Sequence, residues 1–412
     1  MQRFLIPIII IITLKGYVYG SLIRLFERPL YRRLAALLAL ISVTSIGTTY
    51  LAFQLHFSNG IIAPPLWANL SIGLMISFLV CELILAGFFV IDDLVGIGKK
   101  SVHWYKTRDA KASLSLSRRK FLKKAGLVLT LLPFSSFIYG ITKGKYNFWV
   151  NNKAVVFEDL PAVFDGFRIA HISDIHAGSF DNVEAVKKGI QMIQDQKPDL
   201  ILFTGDLVNS HAKEIEPYLE SFKALSAPYG KFSVLGNHDY PGSRRRYGDE
   251  NFAKANFSKI KEHHKTMGFD LMLNENRKIT KSNEYFRLLG VENWGRSSHF
   301  PKLGDLDKTL RDCSEKEFNI LLSHDPTHWE DKVLDHPTKF HLTLSGHTHG
   351  MQMGIDLPQF KWSPVKYVYK HWAGLYNEKN QNLYVNRGFG FLAFAGRVGV
   401  FPEITILELK KG

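Results

Sequence analysis

Cysteine is scarce in this chain, and its scarcity argues against a fold that is stabilised by disulfides. The 412 residues include two cysteines, Cys81 and Cys313. Cys81 lies inside a long apolar run that is typical of a membrane helix, so we expect no structural disulfide. The two cysteines therefore do not indicate a redox compartment.

Basic residues are not in excess where a globular domain is expected. The net charge is +14, but residues 1–145 hold 18 Lys/Arg and 5 Asp/Glu, whereas residues 146–412 hold 34 and 33. The second part is therefore near neutral and shows no basic stripe of the kind that binds DNA or RNA. Residues 150–412 are numerous enough for one domain with a full core, and we expect no nucleic-acid partner.

Charge is rare in four apolar stretches of the first 145 residues, at about 4–20, 34–56, 66–91 and 122–142. These stretches predict a helical transmembrane region over residues 1–145. The first stretch is short and is interrupted by Lys15, so whether it spans is left open. Glu82 lies near the middle of the third stretch, where we expect a hydrogen bond to a polar residue of a neighbouring helix, such as Ser42, Thr44 or Thr48.

The basic residues around these stretches indicate an orientation. Arginines between 24 and 33 precede the second stretch, and lysines and arginines between 99 and 124 precede the fourth, while the linker near 58–65 carries no charge. The positive-inside rule then places the C-terminal domain outside the cytoplasmic membrane. Residues 117–123, SRRKFLK, are also typical of a twin-arginine export signal, with a plain basic flank as the alternative.

Five short apolar runs in the second part each end in Asp, Asn or His. The runs predict buried strands at Phe167–Ile172, Leu200–Phe203, Phe232–Leu235, Phe318–Leu322 and Phe340–Leu344. The polar blocks that follow them are Asp174-Ile175-His176, Gly205-Asp206, Gly236-Asn237-His238-Asp239, Ser323-His324 and Gly346-His347-Thr348-His349-Gly350. Because strand ends that converge on one sheet edge build the sites of α/β folds, we expect one shared site.

The side chains in these blocks suit two divalent cations. Histidine nitrogens and aspartate oxygens bind Zn, Mn and Fe, and a carboxylate can bridge two such ions. The candidate ligands are Asp174, His176, Asp206, Asn237, His324, His347 and His349. The histidines outside these blocks are interpreted as surface or packing residues: His56, His103, His171, His211, His263, His264, His299, His328, His336, His341 and His371.

At these residues, over about 150–412, the chain resembles the calcineurin-like metallophosphoesterase family, whose blocks run D-x-H, G-D, G-N-H-D/E, H and G-H-x-H. The resemblance implies an α/β fold, a four-layer α-β-β-α sandwich of two mixed sheets, here preceded by transmembrane helices. It also implies a first metal held by Asp174, His176, Asp206 and His349. The second metal would share Asp206 and add Asn237, His324 and His347.

In this family His238 would be the general acid, and Asp239 would hold its ring; the alternative is that His238 only orients Asn237. The implied reaction is hydrolysis of a phosphoester or diphosphate by a metal-activated hydroxide, with His238 protonating the leaving oxygen. Two divalent ions, Mn, Fe or Zn, are expected as cofactors, with Mn favoured. The membrane region favours a lipid-linked or envelope-derived substrate, because tethering raises the encounter with it.

Two other functions stay open at this point. One is a cytoplasm-facing UDP-2,3-diacylglucosamine pyrophosphatase of lipid A synthesis, which would use the same metal pattern. The other is a membrane scaffold or transport component that carries a phosphoesterase-like domain without its activity. The sequence indicates neither the natural substrate nor the oligomeric state.

Further residues are candidates for contact with the substrate. Arg244, Arg245 and Arg246 follow the His238 block and suit either an anionic headgroup or an ordinary solvated charge run. Arg397 belongs to the glycine-rich aromatic loop Phe389–Phe401. The segment Phe360–Tyr376 mixes aromatic residues with lysines, a composition that fits a membrane interface, a pocket wall or core packing. A final strand is expected at Glu403–Leu409.

Overall fold

The computed structural model describes residues 2–52, 54–55, 66–107, 116–241, 250–314, 316–357 and 359–412. Within these ranges the chain forms two compact units, a helical unit that ends at Tyr139 and a C-terminal unit from Gly140 to Gly412. Each unit has its own apolar clusters. The two are therefore described separately.

In the described residues of the helical unit and its exit there are four α-helices: α1 (Gln2–Leu25), α2 (Pro29–Ala52), α3 (Leu66–Thr107) and α4 (Leu116–Thr142). Among the described residues, three segments are long and apolar enough to cross a membrane, namely Pro29–Ala52, Leu70–Lys99 and Lys120–Thr142. They correspond to the second, third and fourth predicted stretches. The first stretch is also helical, within α1, but it is not one of these three.

A buried ion pair joins three helices of this unit. Lys15 of α1 donates to both carboxylate oxygens of Glu82 on α3, at 3.0 and 2.8 Å, and Ser42 of α2 donates to the same carboxylate at 2.6 Å. All three residues are buried. The hydrogen bond expected between Glu82 and Ser42 is confirmed. The pairing with Lys15 adds a charge partner, without which a carboxylate inside an apolar bundle is costly.

The described part of the C-terminal unit contains two six-stranded sheets and one small hairpin. The strands of the first sheet are β1 (Trp149–Phe157), β2 (Arg168–Ile172), β3 (Leu200–Phe203), β4 (Lys231–Ser233), β5 (Asp270–Leu271) and β14 (Glu403–Lys411). The second sheet has β6 (Glu275–Lys281), β7 (Glu284–Gly290), β8 (Asn319–Leu322), β9 (Leu342–Ser345), β12 (Gly374–Glu378) and β13 (Gln381–Val385). The hairpin consists of β10 (Ile355–Leu357) and β11 (Phe360–Trp362).

Both large sheets are mixed. The first has the order β1-β14-β2-β3-β4-β5, in which β14 runs antiparallel to β2 while β2 to β5 are parallel. The second has the order β12-β13-β9-β8-β7-β6, in which four parallel central strands are flanked by antiparallel β12 and β6. Parallel neighbours bring their carboxyl ends to one edge, which is where the polar blocks follow.

The apolar core lies between the two sheets, and helices cover their outer faces. Leu202 of β3 and Leu407 of β14 belong to the same buried cluster as Leu288 of β7 and Leu344 of β9. On the outer face of the first sheet lie α5 (Val183–Asp195), α6 (Leu219–Lys223) and α7 (Glu250–Thr266). The short helices α8 (Leu306–Thr309) and α9 (Pro326–His328) belong to the second side. The predicted four-layer α/β sandwich is confirmed.

Helix α5 shows how the sequence forms these outer layers. Its buried residues Val186, Ile190 and Ile193 recur every three or four positions and so share one face. The Asn182 side chain accepts a hydrogen bond from the Ala185 backbone N–H and caps the first turn. An apolar stripe with a capped start is sufficient to dock a helix on a sheet.

The predicted strands agree with the observed ones to within two residues at each end. The run at Leu200–Phe203 matches β3 exactly in extent, and the final strand extends to Lys411 rather than Leu409. The strands that the sequence did not predict include β1, β6 and β7. In β6 only Ile279 is buried, so its apolar signal is weak.

Candidate metal centre

The five polar blocks meet at the carboxyl ends of β2, β3 and β4 in the first sheet and β8 and β9 in the second. Six of the seven candidate ligands are buried, and the seventh, His347, is partly exposed. Three overlapping groups place their nitrogen or carboxylate atoms within 4.8 Å of one another. These groups are Asp174 with His176 and His349, His176 with Asp206 and His238, and Asp206 with His324 and His347.

One side of the centre is formed by Asp174, His176 and His349. His349 Nε2 lies 3.3 Å from Asp174 Oδ1, and His176 Nε2 lies 4.0 Å from the same oxygen. His176 Nε2 is also 3.4 Å from Oδ2 of Asp206. One ligand atom from each of Asp174, His176 and His349 lies within 4.8 Å of the other two, which is close enough to hold one cation.

The other side is formed by Asn237, His324 and His347. His324 Nε2 lies 3.2 Å from Asp206 Oδ2 and 3.1 Å from Asn237 Oδ1. His347 Nδ1 lies 2.7 Å from that same amide oxygen. Oxygen Oδ2 of Asp206 thus stands between His176 and His324, in the position that a carboxylate shared by two ions would occupy.

The backbone at these residues is strained. Positive φ angles occur at Asp174 (51°), His176 (46°), Asp206 (60°), His347 (71°) and His349 (51°), in a region that non-glycine residues enter only at a cost. Space is equally tight, because a side chain at Gly346 would overlap Ser173 and Asp174. Strain held by the surrounding strands points to a constellation maintained for chemistry rather than for stability.

Electrostatics favour positive charge in this centre. Burial alone would lower the pKa of His324, but the neighbouring Asp206 outweighs it and raises that pKa to about 10. Burial opposes ionisation of Asp206, yet His324 and His238 hold the pKa of its carboxyl well below the usual value. Among the described residues, His176 Nε2 and His349 Nε2 are buried and have no hydrogen-bond partner. Orphaned nitrogens beside carboxylates fit divalent cations, which would satisfy both.

His238 lies beside the ligands. Its ring centroid is 4.9 Å from that of His176, its backbone N–H donates to Asp206 Oδ1 at 2.7 Å, and its Nδ1 is 2.9 Å from the Asn209 carbonyl oxygen. Because a carbonyl only accepts, Nδ1 carries the hydrogen of this bond. The hydrogen bond to the Asn209 carbonyl therefore holds the His238 ring beside the candidate ligands.

The structure corrects the role predicted for Asp239. Its buried carboxylate accepts backbone N–H groups of Gly236, Asp206 and Leu207, each at 2.9 Å. Asp239 thus ties the loop after β4 to the loop after β3, while the His238 ring is held by Asn209. Burial and the charge of Asp206 raise the pKa of Asp239 to about 7.

The predicted substrate contacts have different outcomes. Arg244, Arg245 and Arg246 lie outside the described residues. Arg397 is fully buried, and its guanidinium donates to the carbonyl oxygens of His349, Gly388 and Gly390. It therefore supports the loop behind His349 instead of facing open space. That loop does reach the site, since Gly390 N–H donates to the Asp174 carbonyl at 2.8 Å.

Tyr369 is a residue of the centre that the sequence did not reveal. Its hydroxyl lies 2.7 Å from His347 Nε2, on the ring side opposite the nitrogen that faces Asn237. Asp325 approaches the same Nε2 at 3.5 Å. The aromatic segment around Tyr369 was a visible signal, but nothing in its spacing links it to His347.

Three of the described histidines outside the polar blocks have hydroxyl partners nearby. His171 contacts Thr204 Oγ1 at 2.9 Å, His264 contacts Ser233 Oγ at 2.8 Å, and His328 contacts Ser323 Oγ at 2.8 Å. All three are buried packing residues. His299 is exposed, while His56 and the side chain of His103 lie outside the described residues.

Comparison with known proteins identifies two families whose sequences match this chain. The calcineurin-like phosphoesterase family matches residues 167–351, and the probable calcineurin-like phosphoesterase transmembrane domain matches residues 1–145. An uncharacterized metallophosphoesterase, YkuE of Bacillus subtilis, is 33% identical over 259 residues, which cover 61% of this chain and 82% of the relative. The phosphodiesterase YaeI of Escherichia coli is 26% identical over 71% of this chain and 99% of its own length.

A relative whose description names both a transmembrane protein and a metallophosphoesterase domain also matches. The transmembrane protein with metallophosphoesterase domain of Danio rerio is 26% identical over 281 residues, which cover 66% of this chain and 60% of the relative. With these matches, the chain belongs to the calcineurin-like phosphoesterase family. It is a membrane-associated phosphoric ester hydrolase with residues arranged to bind divalent metal.

Proposed function

We propose that this protein is a membrane-anchored phosphoesterase that uses two divalent cations, with Mn favoured, on a lipid-linked or envelope-derived phosphoester or diphosphate. The observation that carries the proposal is the position of Asp206 Oδ2, 3.4 Å from His176 Nε2 and 3.2 Å from His324 Nε2. One carboxylate between two histidine sets is the arrangement that two neighbouring ions require.

The residues would divide into two ligand sets around that carboxylate. Asp174, His176 and His349 would hold one cation, Asn237, His324 and His347 the other, and Asp206 both. When bound, the two cations would polarise the phosphoryl oxygens and supply a nucleophile from water near neutral pH. Because the protein ligands are buried, the cations would be shielded from bulk solvent, and their charge would act more strongly on the phosphoryl group.

His238 would act on the leaving group. Its Nδ1–H is engaged by the Asn209 carbonyl, so the proton available for transfer is the one on Nε2 of the protonated ring. The ring is only partly buried and adjoins His176, so it borders both the ligands and the solvent side. From this position His238 would protonate the leaving ester oxygen on the side of the phosphate that faces away from the metal ligands.

The membrane region supports a substrate at the lipid surface. The apolar segment Lys120–Thr142 leads directly into the C-terminal unit, so this unit would be tethered to the bilayer, which raises its encounter with a lipid-linked substrate. The distribution of basic residues favours, by the positive-inside rule, an orientation with that unit outside the cytoplasm. Arg118 and Arg119 lie in the first turn of α4, where a twin-arginine signal would precede its apolar run.

The substrate class is tested with purified full-length protein loaded with Mn. The assay compares phospholipids, undecaprenyl phosphates, nucleotide-lipid diphosphates and soluble diesters, with Asn237→Ala as the inactive reference. We expect the highest kcat/KM on a lipid-linked phosphate. Activity confined to soluble esters would remove the lipid assignment, and preference for a nucleotide-lipid diphosphate would favour the pyrophosphatase.

The orientation is tested separately with a C-terminal β-lactamase fusion. Resistance of intact cells to ampicillin is expected, because the reporter would lie outside the cytoplasm. Sensitive cells with full-length fusion protein would contradict the orientation. Replacing Arg118 and Arg119 by lysine should abolish resistance if the twin-arginine pattern is used.

A further inference from the structure

In the hairpin β10–β11 a charged side chain is buried while apolar side chains are exposed, the reverse of the usual arrangement. Asp356 points inward and pairs with buried Arg387 at 2.7 Å, whereas its neighbours Ile355 and Leu357 are 45% and 56% exposed. Phe360 stands directly opposite Leu357 in the antiparallel register and is 53% exposed. Since alternate residues of a strand face opposite sides, the ion pair fixes the apolar residues outward.

Further exposed apolar side chains lie before and after the hairpin in the chain. Tyr367 and Val368 are 74% and 65% exposed, and Met351, just before the hairpin, is 43% exposed. We call these six exposed residues the apolar rim: Met351, Ile355, Leu357, Phe360, Tyr367 and Val368. The ammonium of Lys366 lies 5.4 Å from the Tyr367 ring. Aromatic and aliphatic side chains beside lysine are typical of surfaces that enter the lipid headgroup region.

One loop connects this rim to the end of the apolar helix α4. Arg397 N–H donates to the Gly140 carbonyl at 3.2 Å, and a side chain at Gly140 would overlap Val398. Val398 in turn forms an isolated bridge with Met353, and Gly354 N–H donates to the Val398 carbonyl at 2.9 Å. Met353 and Gly354, just before the hairpin, thus contact Val398, whose neighbour Arg397 is hydrogen-bonded to Gly140 near the C-terminal end of the apolar segment Lys120–Thr142.

The rim also borders the metal centre. Val368 is followed by Tyr369, whose hydroxyl is 2.7 Å from His347 Nε2. Thr348, between the two terminal candidate ligands, donates to the Trp372 carbonyl at 2.7 Å. The segment that carries Tyr367 and Val368 is thus held against His347 by hydrogen bonds.

We propose that the apolar rim is a membrane-docking surface, whose occupant is the interfacial region of the lipid bilayer entered by α4. Docking there holds the His347 side of the centre against the lipid headgroups, so that the phosphate of a lipid-linked substrate reaches it without leaving the bilayer. This inference rests on the proposed function for the substrate, while the docking itself is a physical contact that can be measured apart from catalysis.

The contact is measured with full-length protein in nanodiscs of equal parts phosphatidylglycerol and phosphatidylcholine. Leu357→Cys, in a Cys313→Ser background, carries a nitrobenzoxadiazole fluorophore, and lipids with a doxyl group on the acyl chain are the quencher. The matched control is a probe at Val156→Cys, which is 63% exposed on β1. We expect blue-shifted, strongly quenched emission at 357 and weak quenching at 156.

Quenching at 357 no stronger than at 156 would overturn the proposal. A blue shift that persists without lipid and rises with protein concentration would do the same, because the occupant would then be a second copy. These outcomes do not depend on hydrolysis. A metal-loaded protein inert on every ester would remove the proposed function while leaving the docking result intact.

Catalysis provides the second readout. Leu357→Ser, Phe360→Ser and Val368→Ser together should lower turnover of a bilayer-embedded phosphoester about tenfold or more, because three apolar contacts with lipid are lost. Hydrolysis of bis(p-nitrophenyl) phosphate in detergent should not change. The control variant Val156→Ser, Val183→Ser and Leu303→Ser replaces exposed apolar residues elsewhere and should affect neither substrate. An equal loss on both substrates would show a merely structural role.

Discussion

The hydroxyl of Tyr369 and Nε2 of His347 lie 2.7 Å apart, on the ring edge opposite the nitrogen that meets Asn237. This contact fixes the rotation of the most exposed candidate ligand. A histidine that binds metal through one nitrogen is oriented by what its other nitrogen contacts, and that partner affects metal affinity. Tyr369 is therefore a positioning residue, outside the ligand set itself.

Tyr369→Phe removes this hydrogen bond and leaves the ring in place. We expect affinity for one of the two Mn ions to fall about tenfold or more, with the thermal stability of the metal-free protein nearly unchanged. Isothermal titration calorimetry of the full-length protein measures both sites. Tyr367→Phe is the matched control, since its ring is 74% exposed. Equal affinities in the two variants would contradict the positioning role.

Asp206→Asn tests whether one carboxylate serves two ions. The shared oxygen is replaced by a neutral amide, so metal content after dialysis should fall from about two ions per chain to below about one. His349→Ala should retain about one ion, because the ligands on the Asn237 side are untouched. Mass spectrometry of the metal content decides, with exposed Asp335→Asn as reference. Equal losses in the two site variants would argue against bridging.

His238→Ala tests the general acid. Turnover of an ester with a poor leaving group, such as an alkyl alcohol, should fall about 10²- to 10⁴-fold, because no proton is delivered to the leaving oxygen. A p-nitrophenyl ester, whose leaving group needs no proton, should lose much less. Metal content is measured on the same samples. If metal loss accounts for the whole defect, the acid role is wrong.

His264 makes the fold sensitive to acid. Burial, and secondarily His263, lower the pKa of His264 from 6.5 to about 3, so the folded state binds fewer protons than the unfolded chain. Its stabilising contribution is therefore complete above pH 6.5 and is lost as the pH falls toward 3.

His264→Gln should flatten this loss of stability between pH 6.5 and pH 3, even if the variant is less stable at neutral pH. Urea unfolding of the full-length protein, followed by tryptophan fluorescence across that range, measures the slope. His171 keeps part of the dependence, because burial lowers its pKa to about 3 as well. Exposed His299→Gln should retain the full slope. A His264→Gln slope equal to that of His299→Gln would refute the assignment.

Much of the fold and centre could be predicted from the sequence because the signals are local. A buried strand such as Leu200–Phe203 is a continuous apolar run, and Asp206 follows it after one tight turn. Parallel pairing then brings such strand ends together without further information. The fold class follows, and the same logic places the candidate ligands in one cluster.

The contacts of Asp239 and Arg397 depend on how the backbone of distant loops is arranged, and this arrangement cannot be read from the sequence. Asp239 was expected to hold its neighbour His238, but three backbone N–H groups of the loop after β3 donate to its carboxylate instead. Arg397 looked like an anion-binding residue, yet the carbonyl oxygens of Gly388 and Gly390 surround it. In both cases the deciding partners are main-chain atoms, which every residue has.

The ion pair of Lys15 and Glu82 has a consequence for how the protein is made. The two residues are 67 positions apart, so Lys15 leaves the ribosome well before its partner exists. Until α3 follows, α1 carries an uncompensated charge that opposes its entry into lipid. We therefore expect an order in biogenesis, in which α1 packs stably only after α3 has been made, and a chain truncated before Glu82 should leave Lys15 without this carboxylate partner.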